Sequence, residues 1–151
     1  MKKTREKTSA AREPQSRRIL FGLLCVIALA GLTDATFLTV AHLTGDDAVC
    51  GSALGCSAVL GSRYATTMGI PTAAFGAVAY FTVFSLAILG LFGYAKMRTF
   101  LGMVVGLMFA ASLYFLYLQA FVLHAFCPFC LLSAALTFLL AGLLVGFPNT
   151  R

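Results

Sequence analysis

The chain has 151 residues, 60% of them hydrophobic and only 11% charged, with a formal net charge of +6. So little charge excludes an ordinary soluble domain and points to an integral membrane protein. The positive excess does not point to nucleic acid either, because most of it precedes the first apolar stretch.

Residues 1–16 are polar and carry Lys2, Lys3, Arg5, Lys7 and Arg12, which predicts a disordered basic tail. A first membrane helix is expected over about residues 18–43, preceded by Arg17 and Arg18. The basic start and Ala28-Leu29-Ala30 also fit a cleavable signal peptide, but the apolar pattern continues through Phe37-Leu38-Thr39-Val40, which favours a retained span. Residues 44–68 form the one sizeable loop, rich in turn-forming Gly45, Asp46, Asp47, Gly51, Ser52 and Gly55. Within it Ser57-Ala58-Val59-Leu60-Gly61 suits a short helix with Cys56 near its start.

Gly69-Ile70-Pro71-Thr72 opens a second membrane helix that is expected to run to about Phe92, since proline is tolerated in a first helical turn. Gly93 to Lys96 make a turn, a third helix follows over about 99–121, and a fourth over about 128–145. Residues 64–95 and 99–150 contain no Asp, Glu, Lys or Arg, and a crossing takes roughly 20 residues. β-Barrel alternation is absent, and only helices or closed barrels satisfy the backbone in lipid. The expected fold is therefore an all-α, four-transmembrane-helix bundle over 17–147, with a short helix in an extracytoplasmic loop and residues 148–151 as a cytoplasmic end.

The basic residues before the first helix, Lys96, Arg98 and Arg151 fall on one side of this arrangement, and only Arg63 on the other. By the positive-inside rule both termini are then cytoplasmic. That leaves Cys50, Cys56, Cys127 and Cys130 outside, where disulfides persist. Cys127 and Cys130 are three residues apart at a helix start, so they share a face. The unpaired N–H groups and positive dipole end there favour a thiolate. Cys130 is one turn deeper, about 4.5 Å along the axis, so one sulfur looks toward water and the other toward lipid. Glycines around Cys50 and Cys56 allow that pair to swing, and an exposed disulfide in a mobile loop is labile. Two such pairs can relay electrons by thiol–disulfide exchange; a structural staple, or a zinc or copper(I) site built from the sulfurs, are the alternatives.

Other residues are read more simply. Cys25 lies about 27 Å from the outer end of helix one and is taken as a packing residue. Asp34, about 14 Å below that end, is a functional candidate by its depth. Thr33, Thr36 and Thr39 nearby favour instead an acid satisfied by their hydroxyls. Gln119 and Leu123, eight and four residues before Cys127, can turn toward the same cavity, and His124 is a candidate proton donor or an idle interfacial residue.

Cys50-x5-Cys56-Ser57, then Ser62-Arg63, Gly69-Ile70-Pro71, Phe75-Gly76, Tyr80 and finally Cys127-Pro128-Phe129-Cys130 together resemble the vitamin K epoxide reductase family over about residues 18–146. The resemblance implies a four-helix bundle around a quinone pocket, of ubiquinone or menaquinone type, in a bacterial inner membrane. It implies that Cys50 exchanges with a periplasmic thioredoxin-fold oxidase, that Cys56 passes electrons to Cys127, and that Cys130 faces the quinone. Ser62, Phe75 and Tyr80 match family positions near the cysteines or on the second helix. The resulting expectation is a membrane thiol:quinone oxidoreductase supporting disulfide formation. Alternatives are reduction of quinone or vitamin K epoxide by external thiols, and a cysteine-based metal-binding or transport protein. Many relatives carry a fused thioredoxin-like domain, whereas this sequence ends at Arg151, so the partner is expected to be a separate protein. Where vertebrate members have a tyrosine four residues after the last cysteine, this chain has Ala134.

Overall fold

The computed structural model describes residues 2–45, 55–94 and 96–147. Among them, four helices are long and apolar enough to cross a membrane. Helix α1 spans Lys2–Thr44, α2 is the short Cys56–Leu60, α3 is Thr72–Leu91, α4 is Met97–Tyr117 and α5 is Pro128–Gly146. This is the all-α membrane bundle expected.

Three details depart from the expectation. The backbone is already helical at Lys2, where a disordered tail was expected. Lys, Arg, Glu, Ala and Gln are good helix formers, and prolonging an existing helix avoids the cost of nucleation. A small antiparallel hairpin, β1 (Thr66–Thr67) and β2 (Ile70–Pro71), delivers the chain into α3. Its two turn residues, Met68 and Gly69, both have positive φ (55° and 80°), the requirement of a type I′ turn. Finally, α4 does not simply end: residues Leu118–Val122 form a π-helical turn that continues it.

Each membrane helix packs against its neighbours in a closed ring, with α1 flanked by α3 and α5 and α4 closing the other side; the α1–α3 interface is the most extensive. Lipid is as apolar as leucine, so close backbone approach and hydrogen bonds, rather than escape from water, hold such helices together. At Gly31 a Cβ would collide with the Tyr80 ring, and at Gly90 with the Phe21 ring. Each aromatic of the core thus lies on the bare backbone of a facing helix. Tyr80, Phe21, Leu24, Val83, Leu101 and Leu140 form the centre of this core.

Hydrogen bonds close the end of the bundle away from Cys56 and Cys127. After α3, Gly93 (φ 96°) donates to the Gly90 carbonyl at 3.1 Å and Tyr94 donates to Leu89 at 3.4 Å, which is the Schellman stop. The Arg98 guanidinium, in the first turn of α4, donates to the Leu144 carbonyl at 2.9 Å and to the Phe147 carbonyl. A cation there satisfies orphan carbonyls at the negative end of α5. The α3–α4 turn and the end of α5 are thereby tied together, opposite the end that carries Cys56 and Cys127.

The packing makes a simple prediction. Gly31→Val, which drives a side chain into Tyr80, should lower stability by about 1–3 kcal/mol, the usual cost of overpacking. Gly142 has open space around its Cα, so Gly142→Ala should leave the melting temperature in detergent essentially unchanged.

Candidate functional site

Two elements are brought together at the cysteine end. Gly55 has φ 103°, and a Cβ there would lie 2.7 Å from the Phe126 carbonyl oxygen and 2.9 Å from its nitrogen. Only glycine lets the backbone before Cys56 rest directly on the backbone before Cys127. This close approach, rather than freedom to swing, is what Gly55 contributes. Cys56 then opens α2, and its Sγ lies 3.7 Å from Cys127 Sγ. Both residues are fully buried, in one cluster with Leu38 of α1.

Cys127 is positioned from its other side by the π-helical turn. The extra residue in that turn directs Gln119 inward, where it is buried, and its Oε1 accepts the Cys127 backbone N–H at 2.9 Å. The Gln119 carbonyl also accepts the Ala125 N–H at 3.2 Å, folding residues 119–127 into a compact turn. π-Bulges commonly mark functional sites because they redirect a side chain out of helical register.

Cys127 caps α5 through its sulfur, which accepts the Cys130 backbone N–H at 3.4 Å, while Pro128 fills the first helical position. The Cys130 thiol hydrogen-bonds the Cys127 sulfur, and the backbone N–H groups of Cys130 and Phe129 add to it; together these outweigh burial and pull the Cys127 thiol down to about 7. Cys127 and Cys130 are free thiols, whereas Cys56 is disulfide-bonded. Cys50 lies outside the described residues. Cys25 is a free thiol packed against the main core, remote from this cluster.

From Cys130 a cavity of about 470 Å³ extends down the inside of the bundle. Ser62, Phe75, Tyr80, Gln119 and Leu123 all contribute to its wall, together with Cys130. Their contributions differ. Ser62 donates to the Val59 carbonyl at 2.7 Å and so closes α2. Phe75 is half exposed on α3, where it joins cavity to surface. Tyr80 is buried at the floor, donating to the Ser133 carbonyl at 2.7 Å, with the hydroxyls of Ser133 and Thr137 at 3.1 and 3.0 Å.

Ser133, Thr137 and His42 also line the cavity, and sequence reasoning missed them. Ser133 and Thr137 follow Cys130 by three and seven residues, the spacing of one helix face, and that was the signal available. His42 follows Asp34 by eight and Leu38 by four, again one face. His124 adopts positive φ (48°) in the α4–α5 connection and does not line the cavity.

Asp34 also departs from expectation. Thr33, Thr36 and Thr39 spend their hydroxyls on the Leu29, Leu32 and Ala35 carbonyls of their own helix, at 2.9, 2.7 and 2.7 Å. Such back-bonding is the usual outlet for a hydroxyl in mid-helix. The acid is 7% exposed, and neither carboxylate oxygen has a hydrogen-bond partner among the described residues.

Because a thiolate is the form that alkylates, Cys127 should react with iodoacetamide with a midpoint near pH 7 in reduced protein. Cys130→Ala removes its leading hydrogen bond, and the midpoint should move up toward the ordinary thiol range. Mass spectrometry of the labelled peptide across pH checks both.

The sequence is 40% identical over 116 residues to the thiol-disulfide oxidoreductase LTO1 of Arabidopsis thaliana, a match covering 71% of this chain and 31% of that relative. The chain thus aligns with about a third of that protein's length. The family model described as the vitamin K epoxide reductase family matches residues 22–145, from within α1 to the end of α5. The chain belongs to the vitamin K epoxide reductase family.

Proposed function

We propose that this protein is a membrane thiol:quinone oxidoreductase, which passes electrons from an external thioredoxin-fold protein through two cysteine pairs to a membrane quinone, and so supports disulfide formation outside the cytoplasm. The observation that carries the reading is the 3.7 Å approach of Cys56 to Cys127, backed by Cys130 on the wall of an apolar cavity. A sulfur on the loop side and a sulfur on the cavity side are then joined by one buried sulfur that contacts both.

In this reading the outer pair is Cys50 and Cys56. A partner thiolate attacks Cys50 and breaks the Cys50–Cys56 bond, leaving a mixed disulfide on Cys50 and a thiolate on Cys56. The partner's second thiol then displaces Cys50, so the partner leaves oxidised and the outer pair is a dithiol. Cys56 attacks Cys127 of an oxidised Cys127–Cys130 bridge, releasing Cys130 as a thiol. Cys50 resolves the Cys56–Cys127 bond, and two electrons now reside on Cys127 and Cys130. The helix start and the Cys130 hydrogen bond stabilise Cys127 as a thiolate, which makes it a good leaving group in the resolving step.

The cavity suits a quinone head group and the start of its tail. Its size lies in the usual range for small-molecule sites. Its wall is largely apolar, with Gln119 near the cysteines and the Tyr80, Ser133 and Thr137 hydroxyls deeper, while Phe75 and Leu123 supply flat apolar surface. Cys130, Ser133 and Thr137 descend one face of α5 over about 10 Å by helical rise. A bound quinone would supply a two-electron oxidant for the dithiol. The free Cys127 and Cys130 beside a disulfide-bonded Cys56 correspond to the state poised to deliver those electrons. We propose a bacterial inner membrane, as the family resemblance implies, with both termini cytoplasmic following the distribution of the lysines and arginines.

Two experiments follow. Reduced protein incubated anaerobically with short-chain ubiquinone and menaquinone analogues should lose the Cys127 and Cys130 thiols, with one quinone reduced per pair. Cys130→Ser should abolish that loss, and thiols that persist with every quinone would overturn the acceptor assignment. In a Cys50→Ser, Cys130→Ser double variant a mild oxidant should trap a Cys56–Cys127 bridge, seen as one crosslinked peptide. Adding Gly55→Val should reduce its yield at least tenfold, since the loop is then held off Phe126.

A further inference from the structure

Asp34 is the one acidic residue between Glu13 and Asp46 in the chain and sits in mid-span on α1. The residue is 7% exposed, with both carboxylate oxygens buried and lacking a hydrogen-bond partner among the described residues. Its surroundings are specific. Gly31, one turn before it, carries the Tyr80 ring. Ala35 and Leu38 line the cavity, and Leu38 packs on Cys56 and Cys127 one turn above Asp34. The titratable groups facing it are Tyr80 from α3, Cys127 and Cys130 from the start of α5, and His42 two turns further along α1.

An ionised carboxylate in such a place is far costlier than a neutral acid, because no described residue pairs it. Structural acids in membranes are normally paired or hydrogen-bonded, and among the described residues Asp34 is neither. The proposed reaction needs two protons along with two electrons. The Cys130 thiol brings one. Cys127, once ionised, brings none, and the Tyr80 hydroxyl is committed to Ser133 and Thr137. Asp34 is the remaining acid at that depth.

We propose that Asp34 is held as a neutral carboxylic acid and supplies the second proton when the Cys127–Cys130 dithiol is oxidised, a role that rests on the quinone reading above. The Cys127 thiolate and the Cys130 thiol form a disulfide and give up two electrons and the Cys130 proton. Asp34 gives up its own proton, so that quinone becomes hydroquinone and the negative charge moves from the Cys127 sulfur to the Asp34 carboxylate. Asp34 then takes back a proton from water at the outer face, equal to the one Cys127 released on ionising. A charge on Asp34 opposes the next Cys127 thiolate, so its reprotonation favours the following cycle.

The test separates the two half-reactions and includes a spectrum. In reduced parent protein at pH 7, infrared spectroscopy should show a protonated-carboxyl band that shifts in D₂O and is missing in Asp34→Asn. Single-turnover thiol oxidation by a short-chain ubiquinone should slow about 100-fold in Asp34→Asn, within the range for loss of a general acid. Reduction of the Cys127–Cys130 disulfide by dithiothreitol should still proceed in that variant, which also reports that it is folded. Asp34→Glu, which keeps the acid, should run at least tenfold faster than Asp34→Asn. A missing carboxyl band, an Asp34→Asn variant oxidised as fast as the parent, or an Asp34→Glu variant no faster than Asp34→Asn would each overturn the role. A parent whose thiols are untouched by quinone would instead overturn the quinone reading itself.

Discussion

The contact on which the site depends is the backbone-to-backbone approach of Gly55 to Phe126. The sulfur of Cys56 reaches Cys127 only because a residue without a Cβ, in a left-handed conformation, occupies the position before it. The Gln119 side chain holds the other half, pinning the Cys127 N–H that would otherwise be an orphan donor just before a helix. Neither restraint involves the sulfurs themselves. Both cysteines are therefore positioned by backbone contacts rather than by a bond between their sulfurs.

The membrane sets the terms for everything beneath that contact. With lipid outside, the bundle gains little from apolar burial, so its specificity comes from glycine–aromatic contacts and a few polar bonds. Tyr80 embodies both. Its ring lies on Gly31 of α1, and its hydroxyl bonds Ser133 and Thr137 of α5. One residue thereby fixes the spacing of three helices and forms the floor of the cavity. Asp34, whose carboxylate has no hydrogen-bond partner among the described residues, stands one turn from that ring. The polar groups inside the bundle accordingly cluster around the cavity rather than being spread through the core.

Family membership and the local chemistry of the cysteines come from different sources. The match over residues 22–145 concerns the whole sequence. The acidity of Cys127 follows from three donors gathered at a helix start, which would lower any thiol placed there. That a helix N-terminus, a proline at the first position and a second cysteine at the third coincide is the feature through which Cys127 contacts Cys56 and Cys130 together.

Much of this was legible in the chain. The charge-free stretches required membrane helices, because lipid leaves no other way to satisfy the backbone, and Gly69 to Thr72 and Cys127 to Cys130 marked two helix starts through local turn chemistry. The pairing of Cys127 with Cys130 is likewise local, as three residues on a helix always share a face. What lay beyond reach depended on distant segments. The role of Gly55 is defined by Phe126, 71 positions away in the chain, so the sequence suggested flexibility where the structure uses close packing. The π-helical turn at Leu118–Val122 has no local signature, since it arises to let Gln119 reach Cys127. The threonines beside Asp34 looked like its partners in sequence, yet a hydroxyl in mid-helix finds its own backbone first. Spans, helix starts and cysteine spacing follow from neighbours along the chain, whereas the contact between sulfurs, the cavity and the isolation of Asp34 were decided by how four helices pack.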